Sequence, residues 1–423
     1  MKPLRIPVLA VLLIARTAWV AATSAAASEA QLRPQPPAAR VVDLKASDGT
    51  LLKASYFAAT NPGPGVLLLH QGNRTRKAWD DLAGQLAAAG IHTLTLDLRG
   101  FGESGGTPHD QLTGREFSRI QRQIWPGDID AAFQYLVSQP GVKGDVIGLG
   151  GAGYKGVDHT VLTASRHSAQ VKSLVLLSGE TFAAGLRFLR QATHLPGLFV
   201  VADEDEYPPT VEAMELLYLT SSDPGKKFLH YAGKEPPWNG EEDVYEAPVV
   251  GGHGTDMFKV HPELPAVIVD WYVSTLIETP GLAPAGNSSS VGLPFAPILK
   301  RIELPGGVAQ ITEQLTEARR RDPKVQLWPE PIVSIMGYDH LRAGEPGLAV
   351  EIMKLNLTAY PESAEANDSL GDAYLANGEK HLAREYAEKA LALLASDTKD
   401  SEARRNLIRD SAQQKLKQLE AAH

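Results

Sequence analysis

Short apolar runs alternate with amphipathic stretches through most of the chain. Two alternating segments on either side of Ser47-Asp48-Gly49 predict a β-hairpin. The apolar runs that follow are nearly continuous, which is typical of strands buried on both faces of a sheet. They predict strands at residues 65–70, 91–97, 145–149, 171–177, 197–202 and 227–231. Helical periodicity between them, clearest at 79–89, 126–138 and 262–276, predicts an α/β fold with a mainly parallel sheet covered by helices on both faces.

The pattern changes after residue 278. Residues 279–307 are rich in Pro, Gly and Ser and predict a linker between a first domain at 40–278 and a helical domain at 308–423. Two stretches of the second domain repeat at a spacing of 34 residues, so that Met336-Gly337 corresponds to Leu370-Gly371. This period resembles tetratricopeptide repeats, in which helix pairs bury their apolar faces by stacking on their neighbours. We expect an all-α, tetratricopeptide-like domain that can take a protein or peptide partner.

The N-terminus has the pattern of an export signal. A basic start is followed by an apolar run at residues 6–22 and by Ala25-Ala26-Ala27, which predicts a signal peptide at 1–27 and export to the periplasm or the medium. A membrane anchor is the alternative, but Arg16 makes the uninterrupted apolar run shorter than a bilayer span. We expect no stable membrane span after cleavage and a flexible segment at 28–39.

Composition limits the classes of function. Hydrophobic residues make up 43% and charged residues 22% of the 423 residues, as in ordinary globular proteins. The net charge of -9 argues against sequence-independent nucleic-acid binding, which needs a basic surface. The chain has no cysteine, which excludes disulfides, thiolate metal sites and a catalytic cysteine. We expect no metal, no cofactor and no nucleic-acid partner.

Five motifs in the first domain follow one another in a familiar order. They are His70-Gln71-Gly72-Asn73, Asp97-Leu98-Arg99-Gly100-Phe101-Gly102-Glu103-Ser104, Ile147-Gly148-Leu149-Gly150-Gly151-Ala152-Gly153-Tyr154-Lys155-Gly156, Ala202-Asp203-Glu204-Asp205-Glu206 and Gly252-His253-Gly254-Thr255-Asp256-Met257. In this order the first domain resembles the α/β-hydrolase superfamily of serine hydrolases. The resemblance implies an α/β-hydrolase fold and an ancestry in the hydrolysis of esters or amides.

The resemblance also locates the nucleophile position. The family pattern Gly-x-Ser-x-Gly corresponds here to the segment Gly151-Ala152-Gly153-Tyr154-Lys155. Gly153 stands in the place of the serine, and glycine has no side chain with which to attack a substrate. Glycine also tolerates the strained backbone of such a turn, so the turn can persist without its serine. The resemblance implies an oxyanion hole of backbone N–H groups from Tyr154 and from Gln71 or Gly72.

The remaining catalytic positions are filled. By resemblance, His253 is the catalytic histidine and Asp205 its acid partner, while Asp203 remains open as the alternative acid. The first hypothesis is a degenerate hydrolase that binds a small ester- or amide-like ligand or a protein partner. The second is an active hydrolase in which His253 activates water. The third is an interaction scaffold based on the helical repeats.

Several other residues offer alternatives. Another hydroxyl could replace the missing nucleophile, and the candidates are Ser104, Ser165, Ser168 and Ser178. The spacing Gly148-x-Gly150-x-x-Gly153 also matches a dinucleotide-binding fingerprint, although it lies deep inside the domain instead of opening it. The interval between residues 177 and 197 leaves no room for a large lid, so the 107–125 loop or the helical domain should cover the pocket, which Trp238 could line.

Overall fold

The computed structural model describes residues 39–203, 205, 210–231, 252–282, 295–397 and 402–421. The predicted signal peptide, nearly all of the segment 28–39, the middle of the predicted linker and Trp238 lie outside the described residues. The predictions that concern them therefore stay predictions.

A single sheet organises the first half of the chain. Among the described residues it has eight strands: β1 (Arg40–Lys45), β2 (Leu51–Phe57), β3 (Gly63–Leu69), β4 (His92–Leu96), β5 (Val142–Ala152), β6 (Val171–Leu177), β7 (Gly197–Ala202) and β8 (Lys227–Tyr231). Their order is β1-β2-β4-β3-β5-β6-β7-β8. β2 runs antiparallel to β1 and β4, and all other neighbours are parallel. This order and these directions are those of the α/β-hydrolase fold, so the predicted fold class is confirmed.

Helices cover both faces of the sheet. They are α1 (Asp80–Ala88), α2 (Gly114–Gln123), α3 (Trp125–Val137), α4 (Gly153–Arg166), α5 (Ala183–Gln191), α6 (Thr210–Thr220), α7 (Met257–Val260) and α8 (Leu264–Tyr272), with 3₁₀ turns at Arg76–Trp79, His109–Gln111 and Gly254–Asp256 and a π turn at Val273–Glu278. Side chains alternate along each strand: Val66 and Leu68 of β3 pack with α1 and α8, whereas Leu67 and Leu69 pack with α3 and α4. The continuous apolar runs of the sequence reflect these two buried faces.

Helices α2 and α5 lie in intervals for which the sequence predicts no specific helix. α2 lies inside the interval treated as the 107–125 loop, and it begins at a capping box in which Thr113 Oγ1 accepts a hydrogen bond from the Glu116 N–H at 3.3 Å. α5 occupies the interval between β6 and β7, where a large lid was not expected. β5 is also longer than predicted and runs on to Ala152.

The rest of the chain is helical. The helices are α9 (Ala296–Ile302), α10 (Gly307–Arg321), α11 (Glu330–Arg342), α12 (Pro346–Ala359), α13 (Ala364–Ala376), α14 (Lys380–Leu394) and α15 (Glu402–Ala421). Both repeat units are helix pairs that turn at a glycine of positive φ, Gly344 at 77° and Gly378 at 85°. Their assignment to the tetratricopeptide family stays a prediction. No helix within the described ranges combines the length and apolarity needed to cross a bilayer.

One core joins the helical region, residues 295–421, to the sheet region. Leu299 of α9 and Met336 of α11 are buried in the same apolar cluster as Leu216 and Leu219 of α6. α9 falls inside the predicted linker, and its buried apolar side chains explain why this segment is helical despite its composition. The core therefore crosses the predicted domain boundary.

Candidate active site

A sharp turn connects β5 to α4. β5 ends at Ala152, and α4 begins at Gly153 with a φ of +63°, in the region that favours glycine. Gly151 and Gly156 let the first turn of the helix approach the strand, because a Cβ on Gly151 would lie 2.2 Å from the Gly156 carbonyl oxygen. The turn leaves the first N–H groups of α4, including that of Tyr154, without intrahelical acceptors at the carboxyl edge of the sheet.

His253 and Asp205 come together at this edge. His253 lies immediately before the 3₁₀ turn Gly254–Asp256, and its Nδ1 is 3.0 and 3.1 Å from the two carboxylate oxygens of Asp205. Both residues are buried. Asp203, the alternative acid, lies instead beside His230, with 2.5 Å between Oδ1 and Nε2. A carboxylate at Nδ1 holds the proton on that nitrogen and directs Nε2 towards the chemistry.

The His253 ring points at the glycine of the turn. A Cβ built on Gly153 would lie 2.9 Å from His253 Nε2 and 2.6 Å from Gln71 Cβ. Real Cβ atoms essentially never approach other heavy atoms closer than 3.0 Å. Gln71 Cβ lies next to the backbone and has little freedom to move. The place that a serine Cβ would take is therefore closed by its neighbours.

The side chain of Gln71 holds the histidine loop. Its Oε1 accepts hydrogen bonds from the Thr255 N–H at 3.0 Å and the Thr255 hydroxyl at 2.8 Å, and its Nε2 donates to the His253 carbonyl at 3.0 Å. Arg74 reaches the same loop through an ion pair of 2.7 Å with Asp256. The sequence predicts a role only for the backbone N–H of Gln71, because no local signal reveals a side-chain contact between segments so far apart in the chain.

Lys155 approaches the same loop from α4. Its Nζ would lie 2.7 Å from a Cβ on Gly72, so only glycine at that position allows this approach. The ammonium lies 4.4 Å from the ring centroid of Phe117 and 5.3 Å from that of Phe101. Burial lowers the pKa of Lys155 to about 8. In the sequence, Lys155 takes the place of the final glycine of Gly-x-Ser-x-Gly, and no role is predicted for it.

The candidate hydroxyls have other partners or positions. Ser104 donates to the Asp97 carbonyl at 2.6 Å within its turn. Ser178 donates to the Gly252 carbonyl at 3.3 Å and has a φ of 47°, alone in this region among the described non-glycine residues. Ser165 and Ser168 lie at the opposite end of α4 from Gly153. Within the described residues, none of these four serines forms a hydrogen bond with His253.

The glycine spacing that matches a nucleotide fingerprint has a packing explanation. A Cβ on Gly148 would lie 2.8 Å from Cε1 of Tyr272, and one on Gly150 would lie 2.9 Å from its hydroxyl. Tyr272 of α8 is fully buried and donates to the Leu149 carbonyl at 2.8 Å. These glycines make room for an aromatic ring packed against the sheet.

The helical region reaches the rim of the site. The Tyr154 side chain is 37% exposed, and its ring meets that of Phe182 edge to face at 5.3 Å. The Arg342 guanidinium of α11 lies 4.1 Å from the Phe182 ring centroid. Elsewhere in the part of the chain that the structure describes, no group of three His, Cys, Asp or Glu side chains is placed to hold a metal ion.

Comparisons with known proteins give a likeness to solved structures only. No family model and no curated protein matches the chain. DcsB, solved with a substrate analogue, is 16% identical with a TM-score of 0.42, over 56% of this chain and 98% of that one. A dienelactone hydrolase from Anabaena variabilis is 17% identical with a TM-score of 0.40, over 57% and 99%. An esterase from Pyrococcus furiosus is 15% identical with a TM-score of 0.42, over 56% and 90%. Because these identities and TM-scores are low, the fold assignment rests on the order and direction of the strands in this chain.

Proposed function

We propose that this protein is a degenerate α/β hydrolase that binds a small ester- or amide-like ligand without covalent catalysis. The observation that carries the proposal is the crowding at Gly153. A serine at this position would bring its Cβ within 2.6 Å of Gln71 Cβ and 2.9 Å of His253 Nε2. The surrounding structure therefore fits glycine, and a chain without a nucleophile loses the covalent route and several orders of magnitude in rate.

Groups that recognise a ligand remain around the turn. The His253–Asp205 pair is intact at 3.0 Å, and the backbone N–H groups at the start of α4 can donate to a carbonyl oxygen. Backbone donors do not depend on the residue at position 153. These groups support binding of a carbonyl-containing ligand without its turnover.

The intact His253–Asp205 pair also favours a second candidate, hydrolysis by water. In that reaction His253 Nε2 would take a proton from a water that attacks the carbonyl, and Asp205 would stabilise the imidazolium. This candidate requires a water that can reach Nε2 beside Gly153.

Two measurements on the full chain separate the candidates. We expect no labelling by a fluorophosphonate probe and no hydrolysis of p-nitrophenyl butyrate above the rate of a His253→Ala variant. We also expect butyramide, a ligand that cannot be turned over readily, to bind the wild type in isothermal titration. Labelling, or turnover that His253→Ala abolishes, would show that the site is an active enzyme.

Two further proposals rest on the sequence alone. Export depends on the signal pattern at 1–27, and fusion of residues 1–39 to alkaline phosphatase tests it, with deletion of residues 6–22 as the control. Binding of a peptide partner to the helical repeats can be tested by capturing peptides with the full chain. Peptide binding that depends only on the repeats would favour the scaffold hypothesis.

A further inference from the structure

Lys155 reaches the loop after β3 in an unusual setting. Its Cδ and Cε lie 3.3 Å, and its Nζ 2.7 Å, from the place of a Cβ on Gly72. The side chain therefore crosses directly over the backbone of the loop that also carries Gln71. This approach brings a cationic group next to the candidate ligand site.

The ammonium has no counter-ion in the part of the chain that the structure describes. Within the described ranges, Lys155 forms no ion pair and no hydrogen bond, and its polar group is held only by the faces of Phe117 at 4.4 Å and Phe101 at 5.3 Å. Two aromatic rings attract a cation but do not replace its lost hydration. A partly buried charge of this kind needs a partner that the described chain does not supply.

The loop and the turn that Lys155 joins each carry a backbone donor. The N–H of Gly72 finds no backbone acceptor in the described part of the chain, and the N–H of Tyr154 belongs to the unpaired first turn of α4. The positive end of the α4 dipole adds to the same potential. Cation, backbone donors and aromatic walls together are complementary to one negative group on an otherwise apolar molecule.

We infer that the ligand is a monocarboxylate with an apolar body, whose carboxylate is bound by Lys155 beside Gly72. The inference rests on the proposed function and adds the class of ligand to it. A single ammonium flanked by two aromatic rings offers one positive charge beside an apolar surface, which suits one carboxylate on an apolar body. Lys155 thus determines the preference of the site for a negatively charged ligand over a neutral one.

The test compares a charged and a neutral ligand of equal size on the full chain. Isothermal titration is carried out with hexanoate, hexanamide and inorganic phosphate. We expect hexanoate to bind more tightly than hexanamide. Replacing the ammonium in Lys155→Met should weaken hexanoate by about ten-fold to one-hundred-fold, the range for a hydrogen bond to a charged group. Hexanamide binding should not change.

Two variants control the test. Lys155→Arg keeps the positive charge and should retain a preference for hexanoate over hexanamide. Lys143→Met removes an exposed lysine from the start of β5 and should leave both affinities unchanged. If Lys155→Met does not fold, as judged by circular dichroism, Lys155→Gln takes its place with the same expectation.

The outcomes separate the two proposals. Equal affinities for hexanoate and hexanamide, or hexanoate binding that survives Lys155→Met, would overturn the inference and leave ligand binding standing. Binding of phosphate alone, lost in Lys155→Met, would overturn the assignment to a carboxylate. Absence of binding by all three probes would overturn both proposals. Ester turnover in which hexanoate competes and Lys155→Met relieves that competition would support the inference and overturn the non-catalytic function.

Discussion

Adding a Cβ at Gly153 tests whether the site has closed around glycine. Gly153→Ala leaves the rest of the turn unchanged but must adopt a φ of +63°, which costs about 1–2 kcal/mol for a residue with a Cβ. The contact of 2.6 Å with Gln71 Cβ adds overpacking, which typically costs about 1–3 kcal/mol. We therefore expect the free energy of unfolding to fall by about 2–5 kcal/mol.

Urea unfolding followed by tryptophan fluorescence measures this change. The matched control is Gly127→Ala in α3, where a Cβ would meet nothing within 4 Å. That substitution should be neutral or stabilise by up to about 1 kcal/mol, because alanine is the better helix former. A loss below about 0.5 kcal/mol for Gly153→Ala would refute the argument from crowding, since that is the scale of ordinary surface changes.

A double-mutant cycle locates the crowding. Gln71→Gly removes the nearest Cβ, so the cost of Gly153→Ala should fall by about 1 kcal/mol or more in that background, as expected of residues in contact. Equal costs in both backgrounds would mean that Gln71 is not the neighbour that matters. Gly153→Ser alone should gain no esterase activity, because its Cβ would meet the same neighbours. Turnover by that single variant would contradict the closure of the site.

Three other substitutions probe buried charges and the contact between the two regions. Burial raises the pKa of Asp339 to about 8, so this carboxyl keeps its proton in the folded state at pH values where the unfolded state loses it. The free energy of unfolding should therefore fall as the pH rises from about 4 to 8. Asp339→Asn should remove this slope and stabilise the protein by about 1–3 kcal/mol at pH 7, measured by urea unfolding across that pH range. Lys415→Met leaves the buried carboxylate of Asp368, now 2.9 Å from Nζ, without its cation and should cost about 3–5 kcal/mol by thermal unfolding. Arg342→Met removes the cation from the Phe182 ring and should lower stability by about 0.5–2 kcal/mol, with faster hydrogen exchange in α5.

Each of these expectations has a contradicting result. If wild type and Asp339→Asn show the same dependence of stability on pH between pH 4 and 8, this carboxyl ionises normally in the folded state. Full stability of Lys415→Met would mean that the carboxylate is solvated in the native state. Unchanged exchange in α5 after Arg342→Met would mean that other contacts alone fix the helical region at the rim.

The sequence predicted the sheet well where burial alone decides the structure. The apolar runs of β3, β6 and β7 are readable because both faces of each strand are covered. The end of β5 was predicted too early because Gly150 and Gly151 resemble a turn, whereas both lie in the strand and Gly150 accommodates Tyr272 from α8. α9 was missed for a related reason: its composition is that of a linker, and only its packing against α6 makes it a buried helix.

The candidate site shows the same division. His253 and Asp205 lie in segments whose order is legible in the sequence, and the fold brings them to 3.0 Å. Gln71 and Lys155 act through contacts with distant segments, and neither their residue types nor their spacing predicts those contacts. The sequence alone shows that the nucleophile is missing at position 153. That the neighbouring side chains leave no room for a Cβ there is seen only from the distances in the structure.

The core shared by the two regions has a consequence for synthesis. The sheet region leaves the ribosome before α9 and α11, so the apolar surface at Leu216 and Leu219 of α6 stays uncovered until Leu299 and Met336 arrive. At this stage the nascent chain is incompletely folded and exposes an apolar patch on α6. Chaperone demand, and the risk of aggregation, should therefore peak during the interval in which ribosomes translate the codons between β8 and α11.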